Sequence, residues 1–229
     1  MVDLAKPGLD VGLYTNLGPE SLAFYGDELG LASEGVLKVG GGVHQHRLSL
    51  RGSVLKINDS RAALGHDLTG YRRLRIADET VPDATLLVDP NGVEVELVPP
   101  GTAGVDAIGV VVEGPDLAAM AWFWSEALGA TPLAADRFRL GSTVIECRPR
   151  DGWVRPGPMA AAGFRYLTVQ VRDVRADHAR LVDLGVEEGA APMRLGSVAR
   201  ISFIRDPAGN WIELSQRASL VGDLGPDDA

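Results

Sequence analysis

Tyr166-Leu167-Thr168-Val169-Gln170-Val171-Arg172-Asp173 is followed further along the chain by Asp206-Pro207-Ala208-Gly209-Asn210-Trp211-Ile212-Glu213-Leu214. The first stretch alternates apolar and polar side chains, the period-2 pattern of a half-buried strand. Val174–Leu184, with Gly185 beyond it, reads as a helix closed by glycine. Ser202-Phe203-Ile204 and Trp211–Leu214 flank the Asp-Pro turn as two further strands. The unit is strand, helix, hairpin.

The unit recurs. Asp10–Leu17, Gly18-Pro19-Glu20 and Ser21–Gly30 repeat its strand and helix, and Ala107–Glu113, Gly114-Pro115-Asp116 and Ala121–Gly129 do so again. Proline in the first helical turn costs no hydrogen bond, and glycine ends each helix. Leu22, Tyr25 and Leu29 fall on one face, as in a helix packed on a sheet. Hairpins follow as Val43–Leu50 with Ser53–Asn58 across Arg51-Gly52, and as Phe138–Leu140 with Thr143–Arg148 across Gly141-Ser142. The Asp-Pro ending also appears earlier, as Leu86–Val88, Asp89-Pro90-Asn91-Gly92 and Val93–Leu97. Tyr71–Ile76 precedes it as a strand, but the intervening helix is missing or reduced to a turn. Four units result: about 8–58, a shortened 70–98, 105–148 and 164–216.

The organisation expected from this spacing is an N-terminal pair over 1–98 and a C-terminal pair over 105–216. Val98-Pro99-Pro100-Gly101-Thr102-Ala103-Gly104 is the linker, and 217–229 is a flexible tail. Composition agrees, since 28 glycines and 14 prolines among 229 residues suit many short elements and tight turns. A net charge of −9 argues against a general nucleic-acid binder, which needs a basic face to displace counterions. The single cysteine forbids an internal disulfide. Ile108–Val112 is far below the ~20 apolar residues needed to cross a bilayer, and no secretory leader is visible, so a cytoplasmic protein without membrane contact is expected.

The four units and their Asp-Pro endings resemble the vicinal oxygen chelate superfamily, which holds glyoxalases, bleomycin-resistance proteins and extradiol dioxygenases. The resemblance implies an α+β fold of four βαβββ-type modules, the second shortened, paired two per half into two half-barrel clefts. It also implies metal ligands on the first strand of a module, often His, and on the last strand, a Glu. The corresponding first-strand positions are Asp10, Arg73, Ala107 and Tyr166, and the last-strand positions are Lys56, Glu96, Glu146 and Glu213. Neither half keeps a histidine there. His44 and His46 alternate onto the face of Leu48 and Leu50, the helix-packed side.

Strand parity sorts the remaining residues. In the first half Arg47, Lys56, Arg73 and Arg75 share the cleft face with Glu94 and Glu96. They form either a ladder of satisfied ion pairs or an anion pocket. In the second half Tyr166 and Trp211 make an aromatic wall beside Thr168, Gln170, Arg139, Arg200 and Ser202. Glu213 or Glu146 is the expected general base or acid, because burial beside apolar surface favours the protonated carboxyl. Cys147 alternates with Glu146 and reads as a buried, inert thiol.

The sequence thus predicts a small-molecule binder of this superfamily, taking an aromatic or anionic ligand, with no metal and no cofactor. The alternative is a metal-dependent lyase or extradiol-type dioxygenase with atypical carboxylate ligands. The clefts form within one chain or across a homodimer.

Overall fold

Residues 1–225 are described in a computed structural model. The first module runs β1 (Asp10–Thr15), α1 (Gly18–Leu22, continuing as a π-helical turn Ala23–Glu28), β2 (Ser33–Gly40), β3 (Val43–Leu50) and β4 (Ser53–Ser60). The second is reduced to β5 (Tyr71–Ala77), β6 (Thr85–Val88) and β7 (Glu94–Val98). The third is β8 (Ile108–Gly114), α2 (Leu117–Trp122, with a π-helical turn Phe123–Ala127), β9 (Thr131–Ala134), β10 (Arg137–Leu140) and β11 (Thr143–Pro149). The fourth is β12 (Gly163–Gln170), α3 (Val174–Asp183), β13 (Glu187–Leu195), β14 (Ala199–Arg205) and β15 (Trp211–Arg217), followed by the short α4 (Ala218–Val221).

Local chemistry accounts for the boundaries. The Asp173 side chain caps α3 by accepting from the Arg175 and Ala176 amides at 3.0 and 3.2 Å, and Asp116 caps α2 through Ala119 N–H at 3.0 Å. Arg51 and Gly52 both take positive φ, 49° and 82°, which gives the β3–β4 hairpin a turn twisted to suit its strands. Arg51 Nε donates to Ala77 O at 2.8 Å, so its side chain fixes the turn to β5.

The strands form two sheets. One has eight in the order β13-β14-β15-β12-β1-β4-β3-β2, and the other has seven in the order β6-β7-β5-β8-β11-β10-β9. The four-module α+β fold is therefore present, but the modules do not pair within halves. The first joins the fourth through antiparallel β1–β12, and the second joins the third through antiparallel β5–β8. The reason is edge chemistry. Where a module's first and last strands pair, as β1 with β4 do, the first strand's other edge is left with unpaired N–H and C=O groups. The short 98–104 linker brings β8 beside β5, and the free edges of β1 and β12 then satisfy each other.

The two sheets turn one face each toward a shared core. Leu13, Leu55 and Ile57 from the first sheet cluster there with Leu74, Ile76 and Val110 from the second, and with Phe123 and Trp124 of the α2 segment. The Tyr71 and Phe164 rings stack across the sheets at 4.7 Å. Asn210 of the second Asp-Pro turn accepts from Gly70 N–H at 2.7 Å, and Tyr71 donates its hydroxyl proton to Trp211 O at 2.8 Å. These contacts lock the sheets back to back, so their opposite faces remain as separate concave surfaces.

The tail departs from expectation. Arg217 closes β15, and Leu224 is buried with its carbonyl accepting from Arg200 at 2.6 Å, so the chain is held to that point. Residues 226–229 of the expected tail lie outside the described residues. Among the described residues no helix is long and apolar enough to cross a membrane.

Candidate functional site

Four strands from opposite ends of the sequence meet at the centre of the eight-stranded sheet. β4, β1, β12 and β15 lie side by side, placing Lys56 beside Gly12, Gly12 beside Tyr166, and Thr168 beside Glu213. Gly12 is required by close approach. A Cβ there would stand 2.1 Å from the Tyr166 ring, so only glycine lets that ring lie across β1. Tyr166 then accepts from Asn58 Nδ2 at 3.2 Å and packs against Tyr14 at 6.3 Å between centroids. Burial, then the Glu213 charge, raises the Tyr166 phenol well above its ordinary range, and the same causes raise Tyr14.

At the centre lies a buried triad. Lys56 Nζ donates to Thr168 Oγ1 and to Glu213 Oε2, both at 2.7 Å, and Thr168 donates to the same carboxylate oxygen at 2.6 Å. Lys56 is 3% exposed, and its ammonium sits 5.5 Å from the Tyr166 ring centroid. Above the triad opens a cavity of about 570 Å³. Tyr14, Gln45, Asn58 and Tyr166 supply its uncharged polar surface, and Lys38, Lys56, Glu213 and Arg217 its charged groups. Its walls are Ile201 and Phe203 of β14, Met159 of the 150–163 segment, and the rims of β2 and β13. The 150–163 segment is held down by Trp153 Nε1 donating to Ala208 O, and by Trp211 Nε1 donating to Gly157 O, each at 3.1 Å.

The structure regroups the residues singled out from sequence. Lys56, Tyr166, Thr168 and Glu213 come together here. Gln170 shares their face, but its amide is spent on Asp10 Oδ2 at 2.8 Å. Arg47 stands beside Lys56 in the β3–β4 register. Trp211 is covered by the Arg205 guanidinium 3.7 Å from its ring centroid, and does not line the cavity. Arg200 and Ser202 point to the opposite face. The register pairs Phe203 with Glu213 and Ser202 with core-facing Leu214, so Ala199, Ile201 and Phe203 line the cavity instead. The parity error has a physical cause: this cavity wall is apolar, so the polar residues of β14 are the ones turned away.

Arg73, Arg139 and Glu146 belong to the other concave face. Arg73 bonds Glu94 and Glu96 at 2.8 and 2.7 Å, and Arg75 joins Glu96 to Glu146 at 2.6 and 2.7 Å. Arg148 adds a 2.6 Å contact to Glu146, while Arg139 bonds Gly104 O at 2.8 Å. This is the ion-pair ladder. Burial pushes the Glu146 carboxyl up, but hydrogen bonds from Arg75 and Arg148 outweigh it and hold the group below its ordinary value. Glu146 is therefore a locked anion rather than the raised acid that burial alone would give. Gly109 opens no space on that face, because Val105 and Arg75 lie against it.

Reasoning from sequence missed the two rims, Leu37 and Val39 of β2 and Met193 and Leu195 of β13. Both strands are sheet edges with mostly exposed residues, so no alternation marks them. Cys147 is buried as expected, and burial pushes its thiol up to about 12.

The family model for the Glyoxalase/Bleomycin resistance protein/Dioxygenase superfamily matches residues 104–214. Those residues belong to that superfamily. Its fold extends over the whole chain. A glyoxalase I mutant from Zea mays is similar with a TM-score of 0.74 at 15% identity, covering 96% of this chain and 97% of its own. A candidate dioxygenase from Bacillus subtilis is similar with a TM-score of 0.68 at 15% identity, covering 93% and 86%. No curated protein matches the chain.

The ligand positions implied by the superfamily resemblance can now be compared with the donors present. In the eight-stranded sheet they are Asp10, Lys56, Tyr166 and Glu213. A divalent cation needs several converging anionic or neutral donors, whereas the centre here is itself an ammonium. Glu213 is paired with Lys56, and Asp10 Oδ1 is paired with Lys6 at 2.6 Å and with the Val54 amide at 2.9 Å. Glu146 lies in the other sheet and cannot join Glu213 and Tyr166. Among the described residues no group of three or more His, Cys, Asp and Glu could hold a metal ion. The residues do not fit the superfamily's usual metal.

Proposed function

We propose that this protein binds a small organic molecule in the cavity of the eight-stranded sheet, and that Lys56 supplies the fixed positive charge there. The observation that carries this reading is the Lys56–Thr168–Glu213 triad at the base of an apolar-walled cavity of about 570 Å³. Small-molecule sites combine such walls with a few convergent polar groups, at volumes of roughly 300–1,000 Å³. Lys56, Asn58 and the phenols of Tyr14 and Tyr166 offer hydrogen bonds to the polar end of a ligand, while Phe203 and Met159 take its apolar part. Glu213 is the carboxylate such a ligand meets, and it is the group placed to accept a proton from it.

Thermal denaturation of chelator-treated protein, scanned against small aromatic and aliphatic acids, alcohols and phenols, tests the reading. At least one compound should raise the melting temperature by several degrees without added metal, the shift expected when a ligand binds only the folded state. The shift should vanish in Phe203→Asp, which charges the wall. A tightly held equivalent of Mn²⁺, Fe²⁺, Co²⁺, Ni²⁺ or Zn²⁺, lost in Glu213→Ala, would overturn it.

A further inference from the structure

The cavity carries more positive charge than its carboxylates balance. Lys38, Lys56 and Arg217 line it, against Glu213 as the one lining carboxylate among the described residues. Lys56 is already committed to Glu213 at 2.7 Å. The side chain of Arg217, the last residue of β15, makes no hydrogen bond or ion pair among the described residues, although it is only partly exposed. Arg47 has one side-chain contact, to Gln45 Oε1 at 3.4 Å. Burial lowers the Arg217 pKa, and the charge of Arg47 pushes in the same direction. Glu213 and Asp10 act the opposite way without contacting it, and Asp10 is engaged by Lys6, Val54 N–H and Gln170. Arg217 therefore lines the cavity, and Arg47 stands beside Lys56 and bonds the cavity-lining Gln45, with no carboxylate in contact with either guanidinium.

The rest of the cavity mouth is apolar. Leu37 and Val39 on one rim are 37% and 49% exposed, and Met193, Leu195 and Val198 on the other are 46–52% exposed. Apolar side chains left open on both lips of a cavity, with a guanidinium free of any carboxylate contact in its lining, match one kind of ligand. We propose that Arg47 and Arg217 form an oxyanion subsite, and that the ligand is an amphipathic anion whose carboxylate or phosphate sits there while its apolar chain or ring lies between the β2 and β13 rims. A guanidinium fork binds either oxyanion through paired, charge-assisted hydrogen bonds. The apolar body then covers surface that is otherwise exposed to water.

This inference rests on the cavity being the binding site, and the test separates the two. Isothermal titration compares decanoate, decyl phosphate, decanol and acetate on the wild-type protein and on Arg217→Gln and Arg47→Gln. Decanoate or decyl phosphate should bind at least about tenfold more tightly than decanol, and acetate far more weakly than either. Arg217→Gln should remove most of that preference, bringing decanoate close to decanol, while the melting temperature without ligand stays unchanged, since the Arg217 side chain holds nothing in the fold. The preference should also shrink at high salt. Whichever of the carboxylate and the phosphate binds more tightly identifies the head group. Equal affinity for decanol and decanoate, or an undiminished preference in Arg217→Gln, would overturn the subsite. Failure of all four probes, with another small molecule still stabilising the protein, would overturn the subsite and leave the cavity reading standing. Failure of every small molecule would overturn both.

Discussion

Lys56 shows how one side chain can set the chemistry of a whole surface. At 3% exposure its ammonium is stable only because Thr168 and Glu213 surround it. Removing one partner of a buried ion pair leaves an uncompensated charge, which costs about 3–5 kcal/mol, whereas replacing both with apolar groups is often neutral. Lys56→Met and Glu213→Leu should each destabilise the fold by about 3 kcal/mol in urea unfolding, and the double variant should recover most of that loss. Additive losses would show that the two charges are not coupled. Strand parity in the sequence brought Lys56, Tyr166, Thr168 and Glu213 to cleft faces correctly. It failed at Arg200 and Ser202 because it assumed that polar residues face the cleft, and β14 presents Ile201 and Phe203 there instead.

Among the elements, the two Asp-Pro turns have the most specific chemistry. Asp89 Oδ1 accepts from Val93 N–H and Asp206 Oδ1 from Asn210 N–H, each at 2.8 Å, so the repeated sequence builds the same turn twice. Burial pushes the Asp206 carboxyl up to about 6, against the hydrogen bonds that favour its charged form. Its value in the unfolded chain is about 3.9, so the folded state holds the proton more tightly. That contribution to stability is complete below about pH 4 and is lost as the pH rises through about 6, a change of roughly 3 kcal/mol. Compared with the wild type, Asp206→Asn should flatten the fall in stability between about pH 4 and pH 7, as read by denaturant unfolding across that range. An unchanged slope would mean the carboxyl ionises as it does in the unfolded chain. These turns were legible because Asp, Pro, Gly and Asn each have a steric or hydrogen-bonding reason to be there. The edge strands β2, β9 and β13 were not, since exposure on both faces erases the alternation that reveals a strand.

For the whole molecule, the count of modules was readable but their partners were not. A repeat shows that units are alike, and says nothing about which free edge meets which. Here the outer modules share one sheet and the inner modules the other, with Tyr71 stacked on Phe164 between them. Residues 1–104 and 105–229 made separately should each lack a sharp unfolding transition, because each would expose an unpaired β1 or β12 edge and half a core. Mixing or co-expressing them should restore one cooperative transition in calorimetry. Two independently cooperative fragments would contradict the sheet order.

The outer-with-outer pairing also imposes an order in time. Lys56 and Glu213 are 157 residues apart in the chain. At roughly 5–20 residues per second, a ribosome takes on the order of 10–30 s to deliver the carboxylate after the lysine has been made. The inner sheet, whose strands are contiguous, can finish while the first module still waits for its partner. The cavity is thus among the last features to form, and the newborn chain must keep the open edge of β1 and Lys56 of β4 soluble until then.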